Sequence, residues 1–97
     1  MPHYVTLVNW TDQGIRHVKD SPKRAEAFEA AVKAAGGTVK DVFLVMGAYD
    51  LVLITELPND EAMAKLSLTV GALGNVRTTT MRAFTRQEFR NIVTSLP

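Results

Sequence analysis

Two apolar runs separated by a four-residue break constrain this chain more than any other stretch. Val42 to Met46 reads Val-Phe-Leu-Val-Met, and Leu51 to Glu56 reads Leu-Val-Leu-Ile-Thr-Glu, with Gly47-Ala48-Tyr49-Asp50 between them. β-Branched and aromatic residues on either side of a short Gly- and Asp-containing break predict a hairpin. Both runs are apolar at nearly every position instead of every second one, so both faces of these strands must be covered.

The rest of the chain supplies the elements around that hairpin. Tyr4 to Trp10 reads as a first strand. Thr11 is placed to cap a short helical turn through Ile15 and Val18. Ser21-Pro22 predicts the start of a longer helix, with Ser as cap and Pro at the first position. Its apolar stripe is Ala25, Phe28, Val32 and Ala35, and Gly36-Gly37 ends it. Thr38 to Met46 and Asp50 to Leu57 are the second and third strands. Asn59 caps a second long helix whose stripe, Met63, Leu66, Val70 and Leu73, repeats the spacing of the first. Gly74-Asn75 stops it, Val76 to Phe84 forms a fourth strand, and Thr85 caps a helix over residues 86–95 with Phe89, Ile92 and Val93 on its apolar side.

The order β-α-β-β-α-β-α predicts an α+β, ferredoxin-like βαββαβ domain with a C-terminal helix, filling residues 1–97. Right-handed crossovers put both long helices on one face of a four-stranded antiparallel sheet, with the first and third strands central. Strand parity sets Leu51 and Leu53 against Val52 and Ile54, and Phe43 and Val45 against Val42, Leu44 and Met46. One set meets the helices. The other forms an apolar patch of roughly several hundred Å² that soluble monomers rarely leave exposed. The expected cover is the same face of a second copy, as in a dimeric α/β-barrel, with the C-terminal helix too short to do more than part of it.

Composition narrows the function classes. A net charge of +1 with 22% charged residues predicts no nucleic-acid or membrane partner. The chain has no cysteine, so no disulfide, thiolate metal site or cysteine nucleophile is possible. The start of the sequence has no leader-like segment and no apolar run reaches the roughly 20 residues of a membrane helix, so a cytoplasmic protein is expected. His3 and His17 stand alone, which predicts no metal site. No nucleotide-binding loop, serine elbow or metal helix motif occurs, and no cofactor is expected.

The residues left for a ligand are few, and each has a structural alternative. Gly47 either lets a backbone approach or simply turns the chain. Asp50 either holds a ligand or bonds its own backbone. Tyr49 is not a preferred turn residue and offers a phenol to a ligand or an interface. Trp10 either lines a pocket or rims the core. Arg77 and Arg82 lie an odd number apart, so they point to opposite faces of their strand, and Arg82 is one candidate to clamp an anion. Gly47, Tyr49, Asp50, Trp10 and Arg82 make the expected ligand-binding set; catalytic residues are not identifiable.

The segment Met46-Gly47-Ala48-Tyr49-Asp50-Leu51-Val52 resembles the GYD domain family, small bacterial and archaeal proteins, and the likeness runs on from Tyr4 to Arg77-Thr78-Thr79-Thr80-Met81-Arg82-Ala83-Phe84. The resemblance implies a dimeric α/β-barrel branch of the ferredoxin-like fold. A shorter stretch, Gly74-Asn75-Val76-Arg77-Thr78-Thr79-Thr80, is similar to the ligand-sensing domain of leucine-responsive transcription regulators. That likeness implies small effectors bound near the hairpin between subunits, without the DNA-binding segment. The expectation is a homo-oligomeric module for a small polar metabolite. Its alternatives are a cofactor-free enzyme of the oxygenase or isomerase kind and a purely structural scaffold.

Overall fold

The computed structural model describes residues 1–97. Its elements are β1 (His3–Trp10), α1 (Asp12–Arg16), a single 3₁₀ turn (Val18–Asp20), α2 (Ser21–Ala34), β2 (Thr38–Leu44), β3 (Leu51–Glu56), α3 (Asp60–Ala72), β4 (Val76–Ala83) and α4 (Arg86–Thr94). All sheet pairings are antiparallel, in the order β2-β3-β1-β4. This is the ferredoxin-like arrangement, with β1 and β3 in the middle.

Local chemistry sets the element ends. Thr11 caps α1 by accepting the Gly14 N–H at 3.1 Å, and Asn59 caps α3 by accepting the Ala62 N–H at 2.9 Å. Thr85 and Glu88 form a reciprocal capping box on α4. The backbone N–H of Thr85 holds the Glu88 carboxyl below the usual carboxylate range. Gly36 and Gly74 follow the two long helices at φ 86° and 81°, left-handed values that a side chain would strain.

Two sequence expectations shift. α2 is capped by Asp20 without a side-chain bond, and Ser21 is its first residue instead of its cap. The preceding 3₁₀ turn, closed by the Ser21 N–H on the Val18 carbonyl, carries the chain into the helix one residue early. β2 ends at Leu44 instead of Met46, and Met46 is almost fully solvated.

Cross-strand partners fix the two faces. Tyr4, Thr6 and Val8 pair with Thr55, Leu53 and Leu51 on one side and with Arg82, Thr80 and Thr78 on the other, and they face the helices. Val5 and Leu7 pair with Ile54 and Val52 and face away. A bulge between Val39 and Asp41 switches the parity of β2, so that Val39 and Val42 both turn to the helix side while Phe43 joins the open face. No helix covers that open face. Phe43 and Met81 on it are 51% and 44% exposed.

The core lies at one end of the sandwich. Tyr4, Val32, Leu57, Met63 and Leu66 form the buried cluster, where the C-terminal half of α2 meets the N-terminal half of α3. Toward the other end, where β1 finishes and the hairpin turns, the helices diverge. Leu73, the last residue of the α3 stripe, is 66% exposed. α4 stands off the body with Phe89, Ile92, Val93 and Leu96 in solvent. Its projection gives a radius of gyration of 14.6 Å, against about 12.5 Å for a compact chain of this size.

Candidate functional site

The divergence of α2 and α3 leaves a cleft of about 340 Å³ above the helix-side face of the sheet. Its floor is Val8, Trp10, Leu51 and Leu53, and its walls include Phe28 on α2 and Val70 on α3. Clefts of this size hold small molecules, and an apolar lining with few polar groups is their usual chemistry. The polar side chains on the wall are hydroxyls, an amide and one cation, Arg24, with no Asp, Glu or His.

The mouth of the cleft adjoins the hairpin, and the link is Trp10. The Asp50 carboxylate accepts the Trp10 backbone N–H at 2.9 Å. The Asp50 N–H donates to the Val8 carbonyl at 2.8 Å, and the Asp50 carbonyl accepts from the Val45 N–H at 2.9 Å. Asn9 Nδ2 adds a bond to the Ala48 carbonyl at 2.9 Å. The loop is thereby clamped to the end of β1, and the Trp10 side chain is held against the cleft. Gly47 takes φ 116°, and a Cβ there would meet nothing within 4 Å. Backbone conformation, and no close neighbour, therefore calls for glycine at this point. Tyr49 is half-buried, and its phenol has no part in the clamp.

α1 closes the far side of the same end. Thr11 Oγ1 donates to the Gly74 carbonyl at 2.6 Å, and the Thr11 N–H donates to the Asn75 carbonyl at 3.0 Å. Gln13 Nε2 reaches both the Leu73 carbonyl and Asn75 Oδ1. Gly14 lies so close that a Cβ would sit 1.9 Å from the Asn75 carbonyl oxygen. The exit of β1 is thus strapped to the exit of α3, across the rim of the cleft.

Four of the five residues singled out in the sequence, Trp10, Gly47, Tyr49 and Asp50, gather at this end. Arg82 does not. It pairs with Tyr4 at the other end of β1, roughly 20 Å away at the usual rise per residue. Its side chain lies on the helix side, whereas Arg77 pairs with Asn9 on the open face. The Arg82 guanidinium packs over the Phe84 ring at 4.5 Å and the Tyr4 ring at 5.8 Å, and it donates to the His3 and Ala83 carbonyls. These contacts tie the end of β4 to β1.

Beside Arg82 lies a smaller cleft of about 260 Å³ that the sequence did not reveal. There Tyr4 donates its hydroxyl to Asp60 Oδ1 at 2.5 Å. Burial, followed by the hydrogen bond and the charge of Asp60, pushes the Tyr4 phenol up to about 12. The two residues are 56 positions apart. The only sequence signal was an acidic first turn on α3, which reads as helix-dipole complementation. His3 and Glu56 pair nearby on the open face at 2.9 Å, with Lys40 on the other Glu56 oxygen at 3.7 Å.

Known proteins share this architecture. Residues 4–93 match the GYD domain. The glutamine synthetase and cystathionine beta-lyase binding protein of Thermus thermophilus is 29% identical over 84 residues, covering 86% of this chain and 88% of that protein. A crystal structure of a Thermus thermophilus chain superposes with a TM-score of 0.55 at 25% identity, over 88% of this chain and 95% of that one. A feast or famine regulatory protein from M. tuberculosis, complexed with L-methionine, superposes with a TM-score of 0.64 at 19% identity. The match covers 88% of this chain and 51% of the regulator. At that identity the likeness is one of fold. No helix of this chain is long and apolar enough to cross a membrane.

Proposed function

The chain belongs to the GYD domain family, and from that premise we propose that it is a small-molecule-binding module that works as a homo-oligomer, its ligand held in the cleft between α2 and α3. The observation that carries this reading is the hollow, apolar upper half of the domain, with Trp10 clamped at its edge by Asp50. Catalysis is the weaker reading because no acid, base or imidazole lines the cleft. The fold of the M. tuberculosis regulator, whose structure holds L-methionine, is in keeping with binding. Gly47 and Tyr49, on the outer side of the clamp, are assigned to the junction between copies, and Asp50 to shaping the mouth. Arg82 is assigned to holding β4 and not to the ligand. The second copy covers the open face through Val5, Leu7, Phe43, Val52 and Ile54.

The test is a blocked cleft. Ala25 lines the cleft, and Ala25→Trp fills it. Wild type stabilised in thermal melts by members of a metabolite library, with that shift lost in a folded Ala25→Trp variant, supports the reading. A wild type that no metabolite shifts sinks it.

A second reading has its own observation. α4 is amphipathic, and its apolar side is unpartnered within the chain. The Thermus thermophilus relative is named for binding two enzymes. A protein-docking role for α4 predicts that a chain ending after Phe84 stays folded and loses a partner retained by the full chain in co-purification.

A further inference from the structure

Resting on the cleft reading above, we infer that the ligand is an uncharged molecule with an apolar body and a neutral oxygen, an alcohol or ketone in chemical class. The polar groups of the wall point to this, because most of them are already engaged. Thr6 and Thr80 share a bond between their hydroxyls at 3.1 Å. Thr69 donates to the Lys65 carbonyl at 2.8 Å, and Asn75 Oδ1 accepts from Gln13 Nε2 at 2.9 Å. The Ser21 hydroxyl is buried and presents no surface to an occupant.

Charge is engaged as well. Arg24 is the one cation on the wall, and it donates to the His17 carbonyl at 2.5 Å, which ties it to the segment before α2. No Asp, Glu, Lys or His lines the cleft. A carboxylate or ammonium carried inside would lose its hydration without gaining a free counter-charge. An amino acid would bring both charges at once. What remains are the hydroxyls of Ser67 on α3 and Thr78 on β4. A hydroxyl both donates and accepts, so this pair can serve the oxygen of an alcohol or of a ketone.

The body follows from the rest of the wall. Val8 and Leu53 below, with Phe28 and Val70 at the sides, offer apolar surface throughout. An alkyl or aryl occupant removes that surface from water and leaves no uncompensated polar group on either side. The volume of about 340 Å³ suits a body of about ten non-hydrogen atoms, at the roughly 30 Å³ that a water-sized group occupies.

Octanol, octanoate and octylammonium, titrated calorimetrically into the full chain, share one body and differ in the head. Octanol should bind at least about tenfold more tightly than either ion, because a charged head kept at the mouth withholds about two methylene groups from the cleft. Trp10 lines the cleft and is the only tryptophan of the chain, so its emission should shift with the same midpoint as the octanol heat. Ser67→Ala combined with Thr78→Val should weaken octanol about threefold to tenfold, the scale of one hydrogen bond. Unchanged octanol affinity in that folded double variant overturns the place given to the oxygen. Octanol binding that leaves Trp10 emission unchanged overturns the inference, since the site then lies elsewhere. Either ion bound as tightly as octanol, with the Trp10 response, overturns the neutral class and leaves the cleft as the binding site; loss of octanoate alone in Arg24→Gln would then name the guanidinium as its partner. Folded wild type that does not bind octanol overturns the inference as well, and the cleft reading falls with it only if no metabolite shifts the melts either.

Discussion

Asp50 Oδ2 accepts the backbone N–H of Trp10 at 2.9 Å across a separation of 40 residues. A carboxylate in the hairpin thus fixes the end of a central strand, and the loop is more than a turn. Asp50→Ala should cost about 1.5–3 kcal/mol, the scale of a hydrogen bond to a charged group. Asp50→Asn, which keeps an acceptor, should cost less, and Tyr49→Phe should leave urea midpoints unchanged. A loss on Tyr49→Phe equal to that on Asp50→Ala would mean that the phenol takes part in the clamp after all.

Neighbouring residues of β3 should respond in opposite ways to a charge. Val52 faces the open side and Leu53 the cleft floor. Val52→Glu should give a folded monomer, because a stable dimer buries about 800 Å² per partner and the new charge would sit unpaired inside the proposed interface. Leu53→Glu should lower thermal stability without freeing a folded monomer. Light scattering paired with circular dichroism distinguishes the two, and a wild type that is monomeric at micromolar concentration removes the dimer.

The stripe of α3 should lose its energetic weight along its length. Leu66 is buried and Leu73 is 66% exposed. Leu66→Ala should cost about 2–5 kcal/mol, the range for emptying a packed site. Leu73→Ala should cost a small fraction of that. Equal costs in urea melts would mean that the helices do not diverge as described.

Alkaline pH should loosen the lower end of the fold. The Tyr4 phenol is neutral in the folded state up to about 12 against an ordinary 10.0. A group whose folded pKa is raised stabilises fully below its unfolded pKa and loses that contribution as pH rises through the folded value. The contribution from Tyr4 should therefore be intact at about pH 9 and disappear between pH 10.0 and about 12. Tyr4→Phe should flatten that part of the melting-temperature profile, and an unchanged slope would remove Tyr4 as its source.

Much of the scaffold was legible because its signals are local. The β-branched runs around Gly47, the Asn59 and Thr85 caps, and the three-four-three spacing in both long helices each sit within a few residues. Parity alone separated Leu53 from Val52 and Arg77 from Arg82. What stayed hidden depends on distance through space. Periodicity tells which side of a helix faces the sheet and not how far two helices stand apart, so the cleft and the exposure of Leu73 had no signature. Nor did the pairings of Trp10 with Asp50 and of Tyr4 with Asp60, which join residues 40 and 56 positions apart. The Ser21 assignment failed by one residue because a 3₁₀ turn and a helix start share the same sequence cues.

The one-ended core carries a consequence for how this domain breathes. Opening free energies follow the density of buried contacts, and they are lowest where few exist. Amides near Tyr4, Val32 and Leu57 should exchange only when the whole domain unfolds, while those around Ser21 and Leu73 should exchange through smaller openings. An occupant of the cleft would stabilise the closed domain against every opening that releases it, slowing exchange around Ser21 and Leu73 and, by the same factor, exchange through global unfolding. In such a molecule, the amides that occupancy leaves unchanged are those whose openings keep the cleft intact, and they mark the segments that take no part in holding the ligand.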